Sequence, residues 1–213
     1  MNKVTMNVQE ALGKAKLLEK KYEKELAQSD FVAAIKPNDT KISGATIEDW
    51  KTTQKARYDS LTDILNEINA IKCALNQSNA QTKVKIGDKE YTVAEAIYMK
   101  QSGVSRKKLL LKKLRENFDR INLFVNTKNE KTMVDAENFV IQMYGGDKAA
   151  VNASTSSADE IENYYNRRKY DILDPVAVLD KIKKLEKEID DFETEVDNVL
   201  SVSNATTLIE VEF

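Results

Sequence analysis

Two stretches of this sequence share one pattern, and that pattern decides the predicted fold. The first is Leu75–Ile86, which reads LNQSNAQTKVKI, and the second is Leu200–Val211, which reads LSVSNATTLIEV. Both fit the frame Leu-x-x-Ser-Asn-Ala-x-Thr-x-(apolar)-x-(Ile/Val). Each follows a helical pattern and leads into the alternation typical of a β-strand. The shared frame predicts an internal repeat.

Working outward, four segments have the three- and four-residue apolar spacing that predicts amphipathic helices. Each has a polar residue suited to cap its first turn, or a proline suited to the first helical position. A seam of coiled-coil type, Leu61-Ile64-Ile68-Ile71-Leu75, runs along the second helix. The predicted helices run from Asn7 to about Gln28, from Thr46 to about Asn79, from Thr92 to Val125 with an interruption at Ser102–Ser105, and from Asp174-Pro175 to the second shared stretch.

A second internal match extends the repeat to its beginning. Thr92–Ile97 (TVAEAI) matches Asn7–Leu12 (NVQEAL), so the order strand–helix–loop–helix–strand occurs twice. The copies cover about 3–86 and 89–211, and the second carries an insertion at about 129–165. We therefore predict a single, mainly α domain over 1–213. It would be an antiparallel four-helix bundle of two helical-hairpin repeats, with a small four-stranded β-sheet at one end.

The connecting segments give finer expectations. Residues 29–45 are rich in turn formers and are predicted to be a loop, and 135–144 a short separate helix. The small, polar residues 149–157 are the best candidate for a mobile insertion. Asn79 and Asn204 are predicted to end their helices in the left-handed conformation. Residues 208–213 form the terminal strand of this sheet, which we expect to be exposed and open to a strand from a neighbouring chain.

Composition excludes several function classes. The net charge of -2, from 33 Lys and Arg against 35 Asp and Glu, gives no general electrostatic reason for nucleic-acid binding. The sequence has no histidine, which removes the commonest general base and metal ligand. The single cysteine, Cys73, excludes an internal disulfide and is predicted to be a buried thiol. We expect no enzyme activity, no cofactor and no metal.

The termini and the hydropathy bear on location. Residues 1–16 lack the apolar core of a signal peptide, and no run approaches the ~20 apolar residues of a membrane span. The expected location is cytoplasmic, or virion-associated if a phage encodes the chain. A membrane is not expected as a partner.

Four short motifs give the sequence a family resemblance. They are Val8-x-Glu10-Ala11-Leu12, Asn76-x-x-Asn79-Ala80-x-Thr82, Gly87…Thr92-x-x-Glu95-Ala96-Ile97 and Asn204-x-Thr206-Thr207-Leu208. On these motifs the chain resembles the septicolysin-like family of small, mostly uncharacterised bacterial and phage proteins. The likeness fails at 102–105 and at about 129–160. It implies a helical architecture, its name implies a haemolysin, and it supplies no catalytic residues.

A basic run is the first candidate site. Residues 106–115 contain six Lys and Arg, so the segment is either an anion-binding surface or the solvated face of a helix. On the second interpretation Leu109, Leu110, Leu111 and Leu114 point inward. The candidate anion-binding residues are Arg106, Lys107, Lys108 and Lys112.

A cluster of tyrosine and arginine is the second candidate site. Residues 164–170 read YYNRRKY, and these side chains suit either a protein contact or stacking against a ligand, while a plain loop is the third possibility. The candidate interaction residues are Tyr164, Tyr165, Arg167, Arg168, Tyr170 and, on the terminal strand, Phe213.

Three functions compete on this evidence. The first is a non-enzymatic structural or interaction protein, a helical bundle that self-associates or binds a protein partner. The second is a protein that binds and sequesters a small anionic ligand such as a nucleotide signal. The third is a membrane-active toxin, which only the family resemblance suggests.

Overall fold

The computed structural model describes residues 3–153 and 156–212. It is mainly helical, as predicted, and it also contains small antiparallel sheets. A π-helical turn, Met99–Gly103, joins the third and fourth helices. The helices are α1 (Val8–Ala27), α2 (Ile47–Gln81), α3 (Val93–Tyr98), α4 (Val104–Met143), α5 (Lys148–Ala153), α6 (Ser157–Asn166) and α7 (Val178–Thr206). The strands are β1 (Lys3–Asn7), β2 (Lys41–Ile42), β3 (Ala45–Thr46), β4 (Lys83–Ile86), β5 (Lys89–Thr92) and β6 (Leu208–Glu212).

The chain packs as two compact units. Unit 1 contains the residues up to Ser102 together with those from Asp191 onward, and unit 2 is Gly103–Asp190. Helix α7 therefore contributes its first half to unit 2 and its second half to unit 1. The prediction of one domain over 1–213 stays a prediction.

Two helices of unit 1 begin with capping boxes, at the polar residues Asn7 and Thr92 where the sequence predicts their starts. The backbone N–H of Glu10 donates to Asn7 Oδ1 at 2.7 Å, and the backbone N–H of Asn7 donates to Glu10 Oε2 at 3.1 Å. Thr92 and Glu95 form the same reciprocal pair at the start of α3. The backbone N–H of Thr92, donating to the Glu95 carboxylate, lowers the pKa of that carboxyl below its ordinary value.

The strands form three separate two-stranded antiparallel ladders within the described residues. The pairs are β1 with β6, β2 with β3, and β4 with β5. The expected four-stranded sheet is therefore wrong. That prediction required the β1–β6 pair to hydrogen-bond to the β4–β5 pair. It failed because the sequence pattern of a strand does not specify which strand lies beside it.

The β1–β6 and β4–β5 ladders have matching registers. Asn7 faces Leu208 in the first, and Thr92 faces Lys83 in the second. These are the residues that the two internal sequence matches align. In each ladder the strand before a helix therefore pairs, residue for residue, with the strand after another helix.

The hydrogen bonds at the helix ends follow the same correspondence. The backbone N–H of Val8 donates to the Thr207 carbonyl at 3.0 Å, and that of Val93 donates to the Thr82 carbonyl at 2.9 Å. Thr82 and Thr207 each donate a backbone N–H to the serine four residues earlier, at 2.8 and 2.9 Å. Both threonines thus link the end of one helix to the start of another.

The terminal strand differs from its prediction. We expected an exposed strand, but β6 is hydrogen-bonded to β1 along its length and one of its faces lies in the core. Its inward side chains Ile209 and Val211 are buried, with Val211 only 1% exposed. Because alternate residues face opposite sides of a strand, pairing buries one face and leaves Leu208 in solvent. Phe213 lies outside the described residues.

The predicted seam on α2 is confirmed as core. All five residues from Leu61 to Leu75 that form it are buried, and Ile71 is fully so. The end of this seam packs with α1, β1 and β6 in one cluster. Cys73 was expected in the core but is exposed, because it lies two residues, or about 200° of helix rotation, from Ile71.

The second half of α7 holds the β4–β5 hairpin in unit 1. Phe192 is 3% exposed and meets the Tyr91 ring edge-to-face, with the centroids 5.7 Å apart. The turn residue Gly87 donates its backbone N–H to Glu195 Oε2 at 2.8 Å. Gly87 has a φ of +57°, which suits the tight turn between these strands.

Replacing Gly87 with alanine is expected to cost about 2–3 kcal/mol of unfolding free energy. A side chain there is strained at positive φ, and its Cβ would lie 3.1 Å from Asp191 Cβ. Gly44 is the matched control, because it also has a positive φ but no atom within 4 Å of the added Cβ. Urea unfolding followed by circular dichroism should give a loss of only about 1 kcal/mol for Gly44→Ala. Equal losses would show that the contact with α7 does not matter.

Unit 2 is dominated by a longer helix than predicted. Residues 104–143 form one continuous helix, so the expected end near Val125 and the separate helix at 135–144 are wrong. Ala136 and Val140 are fully buried and continue the apolar face across the change in composition. The interruption predicted at 102–105 is a π-helical turn that ends at Gly103. Helix α5 covers residues 149–153 of the predicted mobile segment 149–157, and α6 begins at the last residue of that segment, Ser157.

Three helix boundaries differ from the sequence interpretation. Helix α7 begins at Val178 rather than at Pro175, because Ala177 has a φ of +54°, which a right-handed helix does not allow. Asp174 still caps it by accepting the Val178 N–H at 2.8 Å. Asn79 and Asn204 lie inside the last turns of α2 and α7, not in a left-handed conformation. Strand pairing right after both threonines satisfies these helix ends without such a cap.

Candidate functional site

The basic run lies on the first turns of α4 in unit 2, and acidic residues of α7 neutralise part of it. Lys107 Nζ lies 2.7 Å from Glu188 Oε2, and Arg115 pairs with Glu186. Lys112 lies 3.7 Å from Glu116, one turn further along α4. These ion pairs use positive charge internally and leave less of it for a bound anion.

The leucines of the basic run are not all inward. Leu111 is buried, but Leu109 and Leu110 are 68% and 52% exposed. One helix face cannot contain four leucines in the positions 109, 110, 111 and 114, since adjacent residues are 100° apart. Arg106 and Lys108 are exposed on the same segment. The anion-binding role of this segment stays a prediction.

The tyrosine–arginine segment forms a cleft against α4, which we name the Tyr–Arg cleft. Arg168 stacks on the Tyr164 ring with its guanidinium carbon 3.9 Å from the ring centroid. The Tyr164 ring also packs on Phe139, at a centroid distance of 5.0 Å. The cleft has a volume of about 380 Å³, and its lining includes Phe139, Met143, Glu160, Tyr164, Arg167 and Arg168.

One wall of the Tyr–Arg cleft has an unsatisfied acceptor. The Oε2 atom of Glu160 is buried, and no hydrogen-bond donor reaches it within the described structure. Leaving a buried acceptor without a donor costs on the order of 1–3 kcal/mol, and more for a charged group. A donor from a bound molecule would remove that cost. A residue of the cleft lining therefore carries a hydrogen-bond acceptor that the described part of the chain leaves unsatisfied.

The structure brings together only part of the predicted cluster. Tyr164, Arg167 and Arg168 share the cleft, whereas Tyr170 lies beside Phe124, with ring centroids 5.5 Å apart. The backbone of Tyr170 is fixed by Asn129, which exchanges two hydrogen bonds with it at 2.7 and 2.9 Å.

Two further members of the predicted cluster do not line the cleft. Tyr165 is half-buried outside it, and Phe213 lies outside the described residues. The seven residues 164–170 thus divide between two aromatic contacts, because α6 ends at Asn166.

Sequence reasoning missed the residues of the opposite wall. Phe139 and Met143 stand four residues apart on α4 and are 46% and 58% exposed, which is a large apolar surface for two side chains. Their four-residue spacing was visible as a helical pattern. Nothing in the sequence pairs that pattern with Tyr164, because the contact depends on the chain reversal between α4 and α6.

The described residues contain no group of three or more His, Cys, Asp or Glu placed to hold a metal ion. In the same part of the chain, no helix combines the length and apolarity that crossing a bilayer requires.

Comparison with known proteins adds no relative. No protein family, curated protein or solved structure matches this chain. The resemblance to septicolysin-like proteins, and the toxin function that it implies, therefore stay predictions.

Proposed function

We propose that this chain is a non-enzymatic helical protein that self-associates, with the Tyr–Arg cleft as a contact surface. The observation that carries the proposal is the half-exposed stack of Phe139, Tyr164 and Arg168 beside the unpartnered Glu160 oxygen. Aromatic and arginine side chains in such clusters supply most of the binding energy at protein contacts. The absence of histidine and the single cysteine in the sequence also favour a role without catalysis.

We propose further that the chain is built as two helical-hairpin repeats forming a four-helix bundle. Support comes from the matching registers of the β1–β6 and β4–β5 ladders. Additional support comes from the equivalent backbone hydrogen bonds of Val8 and Val93. A rigid framework of this kind suits a protein that presents contact surfaces rather than one that moves around a substrate.

A protein partner fits the Tyr–Arg cleft better than solvent does. Met143 and Phe139 expose about half of their surface, and burying apolar surface is favourable by roughly 25 cal/mol per Å². A second copy would bring backbone N–H groups, which are donors for Glu160, and acidic side chains, which pair with Arg167. Hydrogen-bond donors and acidic side chains are both common on protein surfaces.

Replacing Arg167 with glutamate is expected to weaken self-association at least about tenfold, since it reverses a charge at the rim of the cleft. Sedimentation velocity over a concentration series measures the change. Arg120→Glu on α4 is the matched control, because it reverses the same charge on an exposed arginine of unit 2 outside the cleft. We expect the control to associate like the original chain.

Two results would contradict the proposal. A strict monomer at every concentration up to the millimolar range would remove self-association altogether. Equal association of both variants would remove the Tyr–Arg cleft as the contact.

The Tyr–Arg cleft also supports a second candidate function, the binding of a small anionic ligand such as a nucleotide. Two guanidinium groups stand beside two stacked rings, an arrangement that suits a phosphate next to a planar base. Thermal unfolding in the presence of a panel of nucleotides tests this. A ligand at 100 times its Kd would add ~2.7 kcal/mol of stability, and no shift with any nucleotide would eliminate the candidate.

A further inference from the structure

A second aromatic pocket lies in unit 1, where α2 meets the segment that follows α1. It contains Trp50, the single tryptophan of the sequence, and Tyr58, whose ring meets Phe31 edge-to-face at 6.1 Å. Its volume is about 350 Å³, and its lining is Phe31, Trp50, Lys51, Gln54, Lys55 and Tyr58. We name it the Trp50 pocket. No part of it was predicted as a site from the sequence.

Gln54 gives the Trp50 pocket a hydrogen-bond acceptor that the described chain leaves without a donor. This side chain is 9% exposed, and its Oε1 atom is buried with no hydrogen-bond donor in the described structure. A buried amide normally has partners. An amide among three aromatic rings is therefore suited to receive a backbone or side-chain N–H from a molecule that enters the pocket.

The segment 30–35, which includes Phe31 of the pocket, has properties that complement those of the Trp50 pocket. Residues 30–35 have no regular secondary structure, and within the described part of the chain no hydrogen bond involves the backbone of residues 31–35. Val32 and Ile35 are 87% and 52% exposed. The segment thus offers free backbone N–H groups and exposed apolar side chains at the same time. Exposed apolar residues and unpaired backbone groups together are typical of a strand-like segment that docks on another chain.

We propose that the Trp50 pocket receives residues 32–35 of a second copy of this chain, and that the contact is reciprocal. Segment and pocket are adjacent, since Phe31 belongs to both. A two-fold contact needs such an arrangement, because each copy must present the same patch to the other. Val32 fills the pocket of the opposite copy, and a backbone N–H of the segment reaches Gln54 Oε1.

Charge favours the same occupant. Asp30 begins the segment and is exposed, whereas Lys51 and Lys55 stand at the rim of the pocket. Among the residues that the structure describes, Lys51 has an ion pair with Glu48 at 3.5 Å, in which both side chains are well exposed. In a reciprocal dimer the acid of each segment meets the basic rim of the other copy. Complementary charge of this kind orients two surfaces before they dock.

The inference rests on the proposed self-association, but it does not depend on the Tyr–Arg cleft, which lies in unit 2. Two short segments in two pockets form a small interface, below the standard size of ~1,600 Å². We therefore expect a reversible dimer whose dissociation is observed on dilution.

The test uses Val32→Asp, made in the Arg167→Glu chain so that the Tyr–Arg cleft does not contribute. Val32 is exposed in the single chain, so the substitution leaves folding intact, but it places a charge in the apolar pocket of the dimer. Val202→Asp on α7 is the matched control, a valine of unit 1 that is 55% exposed. We expect sedimentation to show dimerisation weakened at least about tenfold by Val32→Asp and unchanged by Val202→Asp.

Fluorescence of Trp50 gives a second, local readout. Its emission maximum should move to longer wavelength on dilution, in step with dissociation, because the docked segment excludes water from the indole ring. Dimerisation of Val32→Asp equal to that of the control would overturn the inference. A dimer whose Trp50 emission does not change with concentration would overturn it too, and both results would leave the proposed function standing. A chain that never dimerises would defeat both proposals.

Discussion

Val211→Asp is expected to remove at least about 4 kcal/mol of unfolding free energy, enough to unfold many proteins of this kind. Val211 is 1% exposed and packs in the cluster that joins β6 to α1, α2 and β1. An aspartate of similar size would have to bury an unpaired carboxylate or pull β6 out of its ladder. The expected readout is loss of the cooperative urea transition, or a strongly reduced midpoint, in circular dichroism at 25 °C.

The same strand provides the control for Val211→Asp. Leu208 is on the opposite face and is 68% exposed, so Leu208→Asp should change the unfolding free energy by less than about 1 kcal/mol. If the two variants were equally stable, β6 would not be part of the core. The comparison also tests whether β6 belongs to the core, since an exposed terminal strand would tolerate aspartate at both positions.

Phe192→Ala is the second large effect, expected to cost about 3–5 kcal/mol. Phe192 is 3% exposed on α7, and its ring supports Tyr91 of the β4–β5 hairpin. Removing the ring leaves a cavity between the hairpin and α7. Urea unfolding with the midpoint and slope fitted together measures the loss.

Phe124→Ala in unit 2 is the matched control for Phe192→Ala. Phe124 also meets a tyrosine edge-to-face, with a centroid distance of 5.5 Å to Tyr170. It is 46% exposed, so losing the ring should cost only about 1 kcal/mol. Equal losses would mean that the ring contact, and not burial, stabilises each pair.

The sequence predicted the elements of unit 1 closely, because local physics determines them. The capping boxes at Asn7 and Thr92 formed where a side-chain acceptor stands three residues before a glutamate. The buried seam of α2 could be predicted because its five apolar side chains share one helix face. The hairpin turn at Gly87 followed from a glycine between two alternating segments.

The candidate sites could be predicted only in part. Tyr164, Arg167 and Arg168 were identified from composition, and the structure places them in one cleft. Phe139 and Glu160 were missed, because their part in the cleft depends on how α6 returns to α4. The Trp50 pocket was missed for the same reason, since Phe31 and Trp50 meet only after residues 28–46 fold back.

The sequence by itself determined the main helices of unit 1, the residues that cap them, and which face of α2 is apolar. These properties depend on residues within a few positions of each other, so the spacing of residues along the sequence predicts them. Only the tertiary structure decided that β6 pairs with β1, that α4 continues to Met143, and that Cys73 faces solvent. Those outcomes depend on which distant segments become neighbours, and apolar patterns that bury surface equally well with several partners do not choose among them.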